Sequence, residues 1–178
     1  EIIIVGRIAG QYAKPRTDDF ETQNGCTLPS YRGDMINQHE FNAQLRKPDV
    51  KRILKAYECA QMTIELINEF YHTHKSAQKI YTSHEALMLD YELSLTRPCT
   101  QAELLVTQTL FDGSAHTVWL GDRARTLSPT HIEYLAQIAN PIGIKIGPSQ
   151  DPHTLIELLK RLNPHKIPGK LYLITRLG

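Results

Sequence analysis

Four cations in this sequence stand where apolar runs end. Arg7 closes the run from Ile2 to Ile8, and Arg123 follows Val118-Trp119-Leu120-Gly121-Asp122. Lys145 lies between Ile144 and Ile146, and Arg176 closes the run from Lys170. Two more, Lys14 and Arg16, stand close together in Lys14-Pro15-Arg16-Thr17. Arginine suits bidentate recognition of a phosphate or carboxylate, and lysine supplies a point charge. The chemistry such a set serves is the holding of a polyanionic small molecule. A single cation after a strand is as often a solvated loop residue or half of an ion pair. Recurrence is what carries the case, together with Lys145, which interrupts an otherwise apolar strand. A buried, unpaired cation costs on the order of several kcal/mol. Converging cations also repel one another, and an anionic ligand answers both costs.

The elements that must position these cations are legible as a series. Ile2–Ile8, Lys79–Ser83, Ala115–Gly121, Ile142–Ile146 and Lys170–Arg176 are apolar, rich in β-branched residues and bounded by Gly, Pro or Ser, which predicts buried strands. Between them, Val50, Ile53, Leu54, Tyr57, Ile64 and Ile67 repeat at helical spacing after Pro48-Asp49. A second helix is expected after His84, with Leu87, Tyr91 and Leu95. Thr100 and Glu103 have capping-box spacing. Ser128-Pro129 and Asp151-Pro152 open further helices, which Asn140-Pro141 and Asn163-Pro164 close. Strands alternating with helices predict a parallel sheet with right-handed crossovers. The absence of GxGxxG argues against a dinucleotide fold, leaving an α/β chain in the form of a partial (β/α)8 TIM barrel with about five parallel strands. In that architecture ligands sit at the carboxyl ends of the strands, where the cations are. One connection, Ala9 to Pro48, spans about 40 residues and is expected to be a long loop over the site.

Bulk properties narrow the function classes. The 178 residues are 41% hydrophobic and 22% charged, with a formal net charge of +1. That balance excludes a broad nucleic-acid surface, and no apolar run approaches the length of a membrane-spanning helix. The three cysteines, Cys26, Cys59 and Cys99, are scattered and show no CxxC spacing, which suits a reduced, intracellular protein. Both ends of the sequence fall in expected core strands, so residues 1–178 are read as the central part of a single barrel domain within a longer chain. A leader is then not legible, and a plastid location stands beside a cytoplasmic one.

The segment Arg7-Ile8-Ala9-Gly10-Gln11-Tyr12-Ala13-Lys14-Pro15-Arg16-Thr17 resembles the signature of the type II 3-deoxy-D-arabino-heptulosonate 7-phosphate (DAHP) synthases. So, in the same order, do Leu28-Pro29-Ser30-Tyr31-Arg32-Gly33-Asp34-Met35-Ile36-Asn37 and Tyr81-Thr82-Ser83-His84-Glu85-Ala86-Leu87. His116-Thr117-Val118-Trp119-Leu120-Gly121-Asp122-Arg123, Asn140-Pro141-Ile142-Gly143-Ile144-Lys145-Ile146-Gly147-Pro148 and Thr175-Arg176-Leu177-Gly178 complete a match over essentially the whole chain. The resemblance implies a β/α barrel and a transferase at the entry of the shikimate pathway, toward chorismate and the aromatic amino acids. Its reaction is an aldol-type condensation of phosphoenolpyruvate with D-erythrose 4-phosphate. It implies that Arg7, Arg123, Lys145 and Arg176 hold phosphoenolpyruvate, with Asp122 at the same place. Lys14 is expected beside the reacting carbons, and Arg16 and Thr17 on the phosphate of the sugar. Lys14, Arg123 and Lys145 are the residues expected to carry catalysis. A homo-oligomer and a divalent metal such as Mn or Co are implied as well.

Three departures qualify that carry-over. Asp122 stands where the family usually has Glu, and Thr17 replaces a common Ser but keeps the hydroxyl. The family's metal ligands, a Cys before this segment and His, Glu and Asp after it, fall outside the sequence, so no metal ligand is assigned and the fragment alone is expected to be inactive. Cys26 lies in the long loop and is not promoted. His84 and Glu85 are read as a helix start rather than a pocket pair, His72 and His74 as solvated helix-end residues, and Trp119 as core packing. Two other functions stay open: a non-catalytic anion-binding or regulatory remnant, and a related synthase feeding secondary metabolism.

Overall fold

An Asn-Gly pair inside a run of alternating residues is a strong hairpin signal, because both positions of a type I′ turn need positive φ. Gln23-Asn24-Gly25-Cys26 has that form, with φ of 50° at Asn24 and 78° at Gly25. It folds the expected loop into an antiparallel hairpin of β2 (Phe20–Gln23) and β3 (Cys26–Pro29), in register Phe20↔Pro29 to Gln23↔Cys26. The computed structural model describes residues 2–75, 78–99, 110–121, 129–148 and 150–175. These fall into two compact units, Glu1–Ile80 and Tyr81–Gly178.

The first unit opens with β1 (Ile4–Arg7) and ends with α1 (Lys51–Thr73), a 23-residue helix that starts, as its spacing predicts, just after Pro48-Asp49. Between them the chain is held by cross-links rather than by a layer of its own. The Lys14 amide donates to Arg32 O at 2.8 Å and the Met35 amide to Tyr12 O at 3.1 Å, so residues 12–14 lie against residues 32–35. Arg46 is almost wholly buried and donates to the carbonyls of Glu40, Pro29 and His39 at 2.8–2.9 Å. A buried guanidinium demands such acceptors, and here it ties residues 39–40 to the end of β3. The expected burial of the first strand does not hold: Ile2, Ile3, Ile4 and Val5 are exposed.

The second unit is a sheet of four strands in the order β4 (Ile80–Glu85), β7 (Thr117–Leu120), β8 (Ile142–Ile146) and β9 (Leu171–Thr175), all parallel. Helix α3 (Pro129–Gln137) connects β7 to β8, and α4 (Pro152–Leu162) connects β8 to β9. With β1, strands stand at all five expected places, and the parallel β/α alternation is that of a partial TIM barrel. One face of this sheet carries Val118, Leu120, Ile142 and Ile144, each fully buried against Ile132, Leu135, Leu158 and Leu162 of the two helices. Alternation along the strands sends Glu85, Trp119 and Lys145 to the other face.

Two connections differ from the sequence reading. The second helix, α2 (Leu89–Leu95), begins later than expected, because His84 and Glu85 are the last residues of β4. Beside it β5 (Thr96–Pro98) and β6 (Leu110–Asp112) form a short antiparallel pair. The Thr100/Glu103 capping box lies outside the described residues.

Two buried polar residues lock the far ends of the strands. Asn140 is fully buried, accepts from the Asp112 amide at 2.8 Å, and donates to Asp112 O at 2.9 Å and Ala115 O at 3.1 Å. Lys170, just before β9, donates to Asn140 O at 2.8 Å and to Ile138 O. Burial pulls the Lys170 ammonium down to about 8 from an ordinary 10.5. The folded state therefore gives up this proton between about pH 8 and 10.5, where the unfolded chain keeps it, so this group adds stability as pH rises through that window. The expected result is that the unfolding free energy of the parent, minus that of Lys170→Met, grows from pH 7.5 to pH 10 in urea titrations. A difference independent of pH would show that the ammonium is as well solvated by its carbonyls as by water.

Candidate anion-binding site

Lys145 sits in β8 on the sheet face opposite the helices, and it does not stand alone there. Its Nζ is 3.5 Å from Glu85 Oε2 at the end of β4 and 4.7 Å from the centroid of the Trp119 ring in β7. The Trp119 indole N–H donates to the same Glu85 oxygen at 3.3 Å. Three adjacent strands thus each contribute one side chain, at their carboxyl ends, to one cation–carboxylate–indole cluster. The Glu85 side chain is 9% exposed and Lys145 38%. The carboxylate is therefore the dry partner, and the ammonium reaches toward solvent. Glu85 Oε1 is buried without a hydrogen-bond partner among the described residues. Its room is made by Gly121, where an added Cβ would come within 2.0 Å of that oxygen.

The first unit holds the other expected residues. The Arg7 guanidinium lies over the Tyr12 ring, 4.3 Å from its centroid, a cation–π contact that fixes the side chain at the end of β1. Lys14 is held by its backbone to Arg32, and its side chain is half-buried. Arg16 donates from Nε to Tyr31 O at 2.8 Å and from Nη2 to Glu21 Oε1. Thr17 is exposed beside it. Arg7, Lys14, Arg16 and Thr17 therefore lie within one unit, close in sequence, and Lys145 lies in the other. Asp122, Arg123 and Arg176 fall outside the described residues.

Sequence reasoning passed over several of these groups. Trp119, expected to pack in the core, is buried but turns its N–H to Glu85. Glu85 does not start a helix; the strand register sets it beside Trp119. The available signal was the spacing of Glu85 and Trp119, each at or near the end of a strand and on one side of the pleat. His84 faces the opposite way and bonds through Nε2 to Glu92, 2.9 Å away in α2. Burial pushes the Glu92 carboxyl up, and His84 offsets part of that. His72 closes α1 and His74 follows it, both exposed, as expected. Glu21 and Arg46, which organise the long loop, had no sequence signal beyond the hairpin itself.

Among the described residues no three His, Cys, Asp or Glu side chains come together as a site for a metal ion. Cys26 is exposed on the hairpin. The described residues do not by themselves fit the divalent metal implied by the resemblance. No helix among the described residues is long and apolar enough to cross a membrane.

Comparison with known proteins agrees with the motifs. The model of the class-II DAHP synthetase family matches residues 1–76 and 71–178, two stretches that overlap at residues 71–76. A phospho-2-dehydro-3-deoxyheptonate aldolase of Streptomyces coelicolor is 35% identical over 99% of this chain and 49% of its own length. Proteins of the same name from Mycolicibacterium smegmatis, at 34%, and Neurospora crassa, at 35%, also align with 99% of the chain and 48% of their own lengths. The chain spans about half the length of the curated relatives it matches. A family model that matches the chain from end to end leads to one conclusion: the chain belongs to the class-II DAHP synthetase family.

Proposed function

We propose that the protein carrying this chain condenses phosphoenolpyruvate with erythrose 4-phosphate, giving DAHP and inorganic phosphate. The observation that carries this reading is Lys145, which interrupts an apolar strand and stands at the carboxyl edge of the sheet with its charge toward solvent. Phosphoenolpyruvate brings a carboxylate and a phosphate, and four cations are assigned to them: Arg7, Arg123, Lys145 and Arg176. Asp122 is assigned to the same substrate. Lys14 is assigned to the reacting carbons, and Arg16 with Thr17 to the phosphate of the aldehyde substrate.

In this reaction carbon 3 of phosphoenolpyruvate bonds to the aldehyde carbon, whose oxygen takes up a proton. Water adds at carbon 2, and the phosphate leaves with its bridging oxygen. Fixed positive charge around that phosphate stabilises its departure, and cations held in place by the fold need no reorganisation at that moment. Glu85 holds the Lys145 ammonium in place through their ion pair, and the Trp119 ring lies against that ammonium.

The test is an assay of the full-length protein supplied with both substrates and a divalent metal. Phosphate release that depends on the aldehyde, with the heptulosonate found by mass, is expected. A well-folded full-length protein that binds phosphoenolpyruvate but releases no phosphate would be an anion-binding relative without the synthase activity.

A further inference from the structure

Glu21, in the first strand of the hairpin, is the meeting point of two guanidinium groups. Its Oε2 accepts from Arg46 Nη1 at 3.1 Å, and its Oε1 accepts from the Tyr31 amide at 3.2 Å and from Arg16 Nη2. Arg46 is held fast, since three more of its donors are taken by the carbonyls of Glu40, His39 and Pro29 and its side chain is 3% exposed. Glu21 is therefore clamped from behind, and it clamps Arg16 in front. Arg16 is held on a second edge by Tyr31 O at 2.8 Å. Of the five N–H groups of a guanidinium, these two bonds fix the plane and leave others to face a ligand. Burial would raise the Glu21 carboxyl, but the hydrogen bonds from Arg46 and the Tyr31 amide, with both positive charges, hold it below the usual carboxylate range. With Arg46 neutralising it, the carboxylate does not compete with an incoming anion for the whole of Arg16.

We propose that Glu21 is a positioning residue for the phosphorylated aldehyde: anchored by Arg46 and the Tyr31 amide, it holds the Arg16 guanidinium in the orientation that receives that substrate's phosphate. This rests on the assignment of Arg16 in the proposed function. A long, flexible side chain that must be ordered on binding weakens affinity, and one ordered beforehand does not. Removal of the clamp therefore acts on recognition of one substrate and spares the other.

The experiment compares Glu21→Ala, Glu21→Gln and Arg16→Ala in the full-length protein, with KM for each substrate, kcat and a thermal melt for each variant. Glu21→Ala is expected to raise KM for erythrose 4-phosphate about five- to tenfold, the scale of ordering one such side chain, with little change in KM for phosphoenolpyruvate. Glu21→Gln keeps one oxygen for Arg16 and the Tyr31 amide but turns a donor toward Arg46, and is expected to restore only part of that affinity. Arg16→Ala should raise the same KM further. If Arg16→Ala raises it and Glu21→Ala does not, the positioning role is overturned while the substrate assignment stands. If Arg16→Ala leaves it unchanged, the phosphate has been misplaced and the inference fails with that assignment. A Glu21→Ala protein that melts early and loses both substrates alike would reduce Glu21 to a structural tie and also overturn the proposal.

Discussion

Lys145→Met is expected to lower condensation by the full-length protein about a hundred- to a thousandfold, the usual cost of losing one preorganised charge contact at a reacting group. Met fills a similar volume along the strand, so the sheet should keep its register. Glu85 decides the rest. It is nearly buried, and Lys145 and Trp119 are its partners in the cluster, so the variant leaves its carboxylate with the indole N–H at 3.3 Å. Because Lys145 is more than a third exposed, the pair is partly screened, and about 1 kcal/mol of stability should be lost rather than the several expected of a dry ion pair. Adding Glu85→Gln should recover that stability and none of the activity, since it removes the stranded charge without replacing the cation. Urea titrations and aldehyde-dependent phosphate release on the single and double variants separate the two effects. Near-parental turnover in a folded Lys145→Met protein would move the substrate away from this cluster.

Gly33→Ala should destabilise the first unit by about 2–5 kcal/mol, the sum of a strained backbone and an overpacked contact. Gly33 has φ of +101°, where a side chain is rarely tolerated, and an added Cβ would lie 2.3 Å from Tyr12 O and 2.8 Å from Ala13 Cα. Those are backbone atoms and cannot swing aside. Relief must separate residues 12–14 from residues 32–35, breaking the Lys14–Arg32 and Met35–Tyr12 hydrogen bonds. Lys14, Arg16 and Thr17 then lose their scaffold, so the variant should also be cleaved faster by proteases between residues 9 and 48. Parental stability and protease resistance would mean that the loop accommodates the methyl group by a route this geometry does not offer.

The sequence determined the strands and much of their order. β-branched runs bounded by turn residues placed all five, although β1 is exposed; a parallel strand that is buried on its helix-facing side must be apolar there, as Ile142 and Ile144 are. Proline at the start of α3 and α4 marked those helices, because its missing N–H costs nothing in a first turn. The cation in mid-strand, Lys145, was conspicuous for the same reason: a charge in an apolar run calls for a partner. The motifs of the chain were long enough to name the family. What the sequence could not supply was the partners. Glu85 meets Lys145 across 60 positions and Arg46 meets Glu21 across 25. Pairings of that kind leave no periodic trace and exist only once strands are in register and the loop is closed. The hairpin at Asn24-Gly25 was legible in principle, but the position it gives Glu21 was not. Local sequence sets which elements form, through backbone preference and burial. The tertiary structure alone decides which charge stands opposite which, because charges meet through chain segments that have no local reason to be near one another.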